Sequence, residues 1–126
     1  MNKYERLLGD IERQGWGKMK CFGNSMLPKL DNPTMNTYIP QDEYEVGDIV
    51  FCKVKGNFID SHLITQKNDS KGYMISNNKN HQNGWTTKVY GRVVKAVNNN
   101  KDEKYFNFTE EELLKITKNK TEDDLD

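Results

Sequence analysis

Apolar residues recur along this chain with two different spacings. Near the N-terminus Tyr4, Leu7, Leu8 and Ile11 stand at i, i+3, i+4 and i+7 with charged residues between them. That is one apolar stripe of a helix, stopped near Gly15 and Gly17. At the other end Thr109-Glu110-Glu111-Glu112 has the form of a capping box, in which the Thr hydroxyl and the Glu three residues on satisfy free N–H groups. Leu113, Leu114 and Ile116 follow and predict a short helix over about 110–118. Neither helix is long enough to be stable alone, so both must dock on what lies between them.

Between the helices the period shortens. Met19 to Phe22 ends at Gly23, and Asp48 to Val54 ends before Gly56-Asn57, a hairpin-type turn. Phe58 to Thr65 and Gly72 to Ser76 are further strand candidates. Trp85 to Val97 reads as one long strand with a bulge or bend at Gly91. Lys29 to Asn36 and Asn77 to Gly84 read as surface loops, with Asn77-Asn78 as a turn. Strands at this spacing, joined by Asn, Gly, Asp and Lys, predict an all-β barrel or sandwich. With 126 residues and no linker or repeat, the chain is expected to be one domain. Its parts are an N-terminal helix over 1–18, a β domain over 19–97, and a C-terminal strand, helix and acidic tail over 98–126.

Composition narrows the function classes. Hydrophobic residues make up 34% and aromatic ones 10%, and mean hydropathy is -0.96. The core is therefore thin, yet the aromatic content argues against a disordered chain. No stretch approaches the roughly 20 apolar residues that span a bilayer, and no secretory signal is present. A soluble, cytoplasmic protein without a membrane anchor is expected. Lys+Arg and Asp+Glu are 19 each, with the Lys scattered singly, so no nucleic-acid partner is expected. Cys21 and Cys52 lie far apart in apolar runs and read as buried thiols rather than a disulfide. With His62 and His81 they offer no metal-ligand spacing, and no metal or cofactor is expected. The acidic end from Thr121 reads as a solvated tail in preference to a docking segment. An Asn- and Lys-rich composition suits an AT-rich genome such as a bacteriophage's, which would place a viral protein in its host's cytoplasm.

Two segments carry chemistry. In Phe22-Gly23-Asn24-Ser25-Met26-Leu27-Pro28 a serine follows a permissive glycine, and a proline stiffens the exit. Such a serine has its own N–H and a neighbour's at hand for an oxyanion. In Ile59-Asp60-Ser61-His62-Leu63-Ile64 a histidine interrupts a half-apolar strand, and alternation puts Asp60 and His62 on one face. Taken singly, a hydrogen-bonding turn serine and a satisfied strand histidine are the commoner explanations. His81 reads as solvated and Trp85 as a core anchor at a strand start. Lys53, Lys55 and Lys67 are out of place for a Ser-Lys pair.

Together and in order the segments say more. Gly-Asn-Ser-Met-Leu-Pro (23–28), Glu-Val-Gly-Asp-Ile-Val-Phe (45–51), Ile-Asp-Ser-His-Leu-Ile (59–64), Tyr-Met-Ile-Ser-Asn-Asn (73–78) and Val-Tyr-Gly-Arg-Val-Val (89–94) resemble one superfamily. It contains the type I signal peptidases and the LexA-type self-cleaving repressor peptidases, and the resemblance covers about residues 19–97. It implies a β-barrel-type peptidase domain with Ser25 as nucleophile and Asn24, Met26 and Pro28 around the oxyanion and substrate. His62 stands where most bacterial members carry a Lys base, as in the endoplasmic-reticulum and archaeal signal peptidases. The His-type enzymes carry acids after the next strand. Here 76–84 holds no carboxylate, and Asp60 or Asp48 would have to orient the imidazole.

The expected function is peptide-bond hydrolysis by a Ser25–His62 dyad on an extended peptide or protein substrate, with small residues beside the scissile bond. The alternative is an inactive peptidase fold that binds or regulates a host protein. A homodimer through edge strands is a further expectation.

Overall fold

The computed structural model describes residues 1–125, the side chains of 118–125 excepted. Helix α1 (Lys3–Gln14) is followed by β1 (Gly17–Cys21), β2 (Thr34–Ile39), β3 (Ile49–Val54), β4 (Asn57–Asn68), β5 (Gly72–Ser76), β6 (Gln82–Thr86), β7 (Val89–Asn98) and β8 (Glu103–Tyr105), then helix α2 (Glu110–Leu125). The strands form one sheet in the order β1-β2-β7-β3-β4-β5-β6, with β8 added beside β7. Every pairing is antiparallel. The sheet curls into a half-barrel flanked by the two helices, the all-β architecture expected from the sequence.

Both helices begin as their sequences dictate. Asn2 caps α1 by accepting the Glu5 N–H, and Gly15, at φ 83°, ends it by donating to the Ile11 carbonyl at 2.9 Å. The predicted stripe faces inward, with Leu7 and Ile11 buried and Tyr4 and Leu8 packed at its margin. Thr109 and Glu112 form the predicted capping box, each side chain bonding the other's backbone N–H at 3.0 Å. Helix α2 runs past the predicted end, and the acidic segment falls in its last turns. The side chains of that segment, and with them the tail reading, lie outside the described residues.

Three departures from the sequence reading have physical causes. Strand β2 takes in the end of the predicted 29–36 loop, where the residues it buries, Thr34 and Asn36, are polar and give no apolar signal. They satisfy one another and their neighbours, for example Thr34 Oγ1 to Asn36 Oδ1 at 2.8 Å. The long strand predicted over 85–97 is two strands, β6 and β7, broken at Thr87-Lys88. There Thr86 Oγ1 bonds the Lys53 carbonyl at 2.6 Å and receives the Lys88 N–H at 3.0 Å. Trp85 is half-buried on the edge strand β6 and belongs to no core cluster, so it is not the predicted anchor. Its ring lies at the sheet margin, with the Lys71 ammonium 5.5 Å from its centre.

Gly91 behaves as predicted. Phe51 pairs with Gly91 and Cys52 with Val89, leaving Tyr90 as an extra residue in β7. A Cβ at Gly91 would stand 3.2 Å from the Ile39 carbonyl oxygen, closer than a side chain is comfortably held.

The main core lies under α1, where Leu7, Ile11, Met26, Leu30, Tyr38 and Phe51 pack together. A second cluster around Val50, Cys52, Ile64 and Ile75 fills the far part of the curl. Ile39, Val94 and Leu113 seat α2. Cys21 and Cys52 are free and buried.

Candidate active site

The serine loop hangs from the end of β1. Gly23 takes φ 114°, and the chain then turns tightly over 24–30, with Leu27 N–H on the Asn24 carbonyl (3.2 Å) and Leu30 N–H on the Met26 carbonyl (3.0 Å). Met26 and Leu30 pin the loop by entering the main core. Three asparagines hold its outer side. Asn32 accepts the Gly23 N–H at 2.9 Å and donates to Asn24 Oδ1 at 3.0 Å. Asn78, in the β5–β6 connection, donates its backbone N–H to the Ser25 carbonyl at 2.9 Å and its amide to the Leu27 carbonyl at 2.7 Å. The Asn77-Asn78 turn is therefore also a clamp on the serine loop. Asn77 closes that turn by accepting the Lys79 and His81 N–H groups on Oδ1.

His62 comes from the middle of β4, opposite Val50. The ladder skips here, because Cys52 pairs with Ile59 while Val50 pairs with His62, so Asp60 and Ser61 together face one residue of β3. This bulge breaks the simple alternation that placed Asp60 and His62 on one face. Ser61 turns inward and is only 3% exposed. Its hydroxyl lies 2.7 Å from the Tyr38 hydroxyl and accepts from Asn36 Nδ2 at 2.9 Å. Tyr38 also bonds the Asp60 carbonyl at 2.8 Å, so a buried polar cluster fixes the backbone just before the histidine.

Ser25 Oγ and His62 Nε2 are 3.1 Å apart. The other ring nitrogen, Nδ1, is 2.9 Å from Asn83 Oδ1. An amide oxygen can only accept, so the proton sits on Nδ1 and Nε2 turns its lone pair toward the serine hydroxyl. Asn83 reaches this position through a second bulge: Ser76 pairs with Gln82 and Ile75 with Gly84, which leaves Asn83 unpaired in the ladder and free to aim at the ring.

The remaining predicted residues are placed as follows. Neither Asp60 nor Asp48 bonds the imidazole. Asp48 Oδ2 accepts the Glu45 N–H at 2.9 Å and closes the turn before β3. Its cleft, lined also by Arg92, Tyr105 and Asn107, does not include the serine. Asp60 lines the small pocket that contains Ser25, together with Cys21, Met26 and Leu30. The N–H groups of Ser25 and Met26 make no hydrogen bond among the described residues. Asn24 is exposed, with Oδ1 taken by Asn32. Pro28 is exposed and gives its carbonyl to Lys104 Nζ at 3.2 Å, outside the serine pocket. His81 is exposed, and Lys67 is engaged by Glu43 at 2.6 Å.

The resemblance implies a carboxylate within 76–84, and the residue that meets the ring from there is the amide Asn83. The signal was the Asn-Gly pair 83–84, where glycine (φ 135°) permits the bulge. Among the described residues no three His, Cys, Asp or Glu side chains converge to hold a metal ion, and no helix is long and apolar enough to cross a membrane. No protein-family model, curated protein or solved structure matches the chain.

Proposed function

We propose that this chain is a serine peptidase of the signal-peptidase and LexA type, with Ser25 as nucleophile, His62 as general base and Asn83 as the residue that orients the base. The hydrogen-bonded series Ser25 Oγ–His62 Nε2 and His62 Nδ1–Asn83 Oδ1 carries the reading. Three side chains from separate elements meet there at catalytic distances.

In the forward reaction Ser25 Oγ attacks the substrate carbonyl while its proton passes to His62 Nε2. The negative oxygen of the tetrahedral adduct is received by the free N–H groups of Ser25 and Met26. The imidazolium returns the proton to the leaving amine as the C–N bond breaks, leaving an acyl ester on Ser25. Water, deprotonated by the same nitrogen, then releases the acid. Asn83 keeps the ring in the tautomer that each step needs and disperses part of the imidazolium charge through its carbonyl dipole.

A second reading rests on Asn83 being neutral where an acid would stabilise the imidazolium better: an inert dyad whose cleft holds a protein partner. Incubation with a fluorophosphonate probe separates the two. The peptidase reading expects covalent labelling of the wild type at Ser25, mapped by peptide mass spectrometry, and none in Ser25→Ala. Absence of labelling in folded wild type between about pH 7 and 9, where an imidazole base is neutral, supports the partner-binding reading instead.

A further inference from the structure

The residue that meets the far side of the imidazole is also placed for chemistry of its own. Asn83-Gly84 is the only point in the chain where asparagine precedes glycine. With no side chain to shield it, a glycine nitrogen is the backbone nitrogen best able to reach the side-chain amide before it. Gly84 is not readily replaced: it takes φ 135°, and a Cβ there would stand 3.3 Å from the Val54 and Lys55 side chains. The bulge leaves Asn83 without a partner across the ladder, so no cross-strand pairing fixes its backbone.

The two ends of the Asn83 amide are held differently. Oδ1 takes the His62 Nδ1–H at 2.9 Å, while Nδ2 makes no hydrogen bond among the described residues. The carbonyl is polarised towards attack at Cγ, and the nitrogen that would leave is not restrained. An oxyanion formed at Oδ1 finds its donor already aimed, and a hydrogen bond to a charged oxygen is about twice as strong as one to a neutral amide. From this juxtaposition we propose that Asn83 is a self-modification site, converted to aspartate through attack by the Gly84 nitrogen, with the His62 Nδ1–H as the promoting donor. The Gly84 nitrogen bonds to Cγ and gives up its proton, the Cγ–Nδ2 bond breaks, and ammonia leaves with that proton, closing a succinimide ring. Water then adds to Cγ and the new C–N bond breaks, a proton returning to the Gly84 nitrogen. The acid left on Cγ gives its proton to the ammonia, so the products are a carboxylate and ammonium, with no change of oxidation state. The conversion puts a carboxylate against His62 Nδ1, in a stretch that encodes none over 76–84. Its consequence, a Ser-His-Asp series in place of Ser-His-Asn, rests on the peptidase reading above; the conversion itself does not.

The test incubates folded wild type, Ser25→Ala and His62→Phe near pH 7.5 and follows every asparagine by peptide mass spectrometry for the amide-to-acid mass gain. Aliquots of wild type are labelled with the fluorophosphonate as incubation proceeds. Expected is conversion at position 83 ahead of every other asparagine, at the same rate in Ser25→Ala. In His62→Phe it should slow about 2- to 12-fold, the worth of one hydrogen bond. Labelling of wild type should quicken with the converted fraction towards the rate of Asn83→Asp. If His62→Phe does not fold, wild type decides alone: position 83 should convert at least as fast folded as in urea, and the other asparagines more slowly. No conversion at 83 in folded wild type, equal conversion in folded His62→Phe, or a solely isoaspartyl product overturns the inference, and labelling at Ser25 then leaves the peptidase reading standing. Conversion at 83 with no labelling at any time upholds the modification site and removes the peptidase reading.

Discussion

Replacing Asn83 by Ala isolates the least expected member of the site. The change removes the acceptor bonded to His62 Nδ1, at 2.9 Å, from a half-buried position on an edge strand, and leaves the Ser25–His62 contact formally intact. Two losses combine. The ring is no longer fixed in the tautomer that presents Nε2 as a base, and the imidazolium formed on attack loses a hydrogen bond. A neutral hydrogen bond is worth about 0.5–1.5 kcal/mol net, and the tautomer freedom adds roughly another factor of two. The rate constant for Ser25 acylation should therefore fall about 5- to 25-fold, close to 0.9–1.9 kcal/mol at 1.36 kcal/mol per decade. Asn83→Asp should act in the opposite direction. A carboxylate bonds the imidazolium about twice as strongly as a neutral amide, so acylation should quicken, and because the charged ring is favoured its pH profile should rise at higher pH than in wild type. Both effects are read by timing fluorophosphonate labelling from about pH 5 to 9, across the range where an imidazole changes charge. An Asn83→Ala protein that labels at the wild-type rate with an unmoved profile would refute the positioning role.

The other expectations concern the frame that holds the site. Tyr38→Phe deletes a buried hydroxyl shared by the Asp60 carbonyl, Ser61 and Cys21. It should cost about 1–3 kcal/mol in a urea titration, because those groups stay buried without it. Thr109→Ala removes the α2 cap and should cost about 1 kcal/mol by the same titration, with Ser25 labelling unchanged. Burial pushes the Cys21 thiol up to about 11 and the Cys52 thiol up to about 12. Above the ordinary thiol value the unfolded chain therefore binds fewer protons than the folded one. Stability contributed by the neutral thiols should be intact below about pH 9 and fall by about 1.4 kcal/mol per pH unit per thiol until the folded values are passed. Melting curves of wild type and Cys52→Ala between pH 8 and 11 test this, the variant showing the shallower decline.

The sequence disclosed the parts whose signal is local. The α1 stripe, the capping box at Thr109, the strands around Val50 and Ile75 and the bend at Gly91 all depend on neighbours in the chain, and all stand where periodicity put them. The first half of strand β2 was hidden because its buried side chains are Thr and Asn, and Ser61, which Asn36 bonds, comes from another strand. The site was legible to the same extent. Ser25 and His62 announced themselves by residue type, and the structure brings them to 3.1 Å. Their third member did not, because two bulges set the geometry: one before His62 that overrides strand alternation and one that releases Asn83 from its ladder. A bulge is a property of paired strands, and the pairing of 76 with 82 cannot be read from either segment alone. The carboxylates the sequence offered instead, Asp48 and Asp60, close a turn and line a pocket wall.

The most direct measurement of the central claim compares wild type, Ser25→Ala and His62→Ala on a diverse peptide library near pH 7.5, with new termini identified by mass spectrometry. The account predicts cleavage by wild type alone, at sites sharing one residue class beside the broken bond. Identical cleavage by wild type and Ser25→Ala, or none by any of the three while each remains folded, would contradict it.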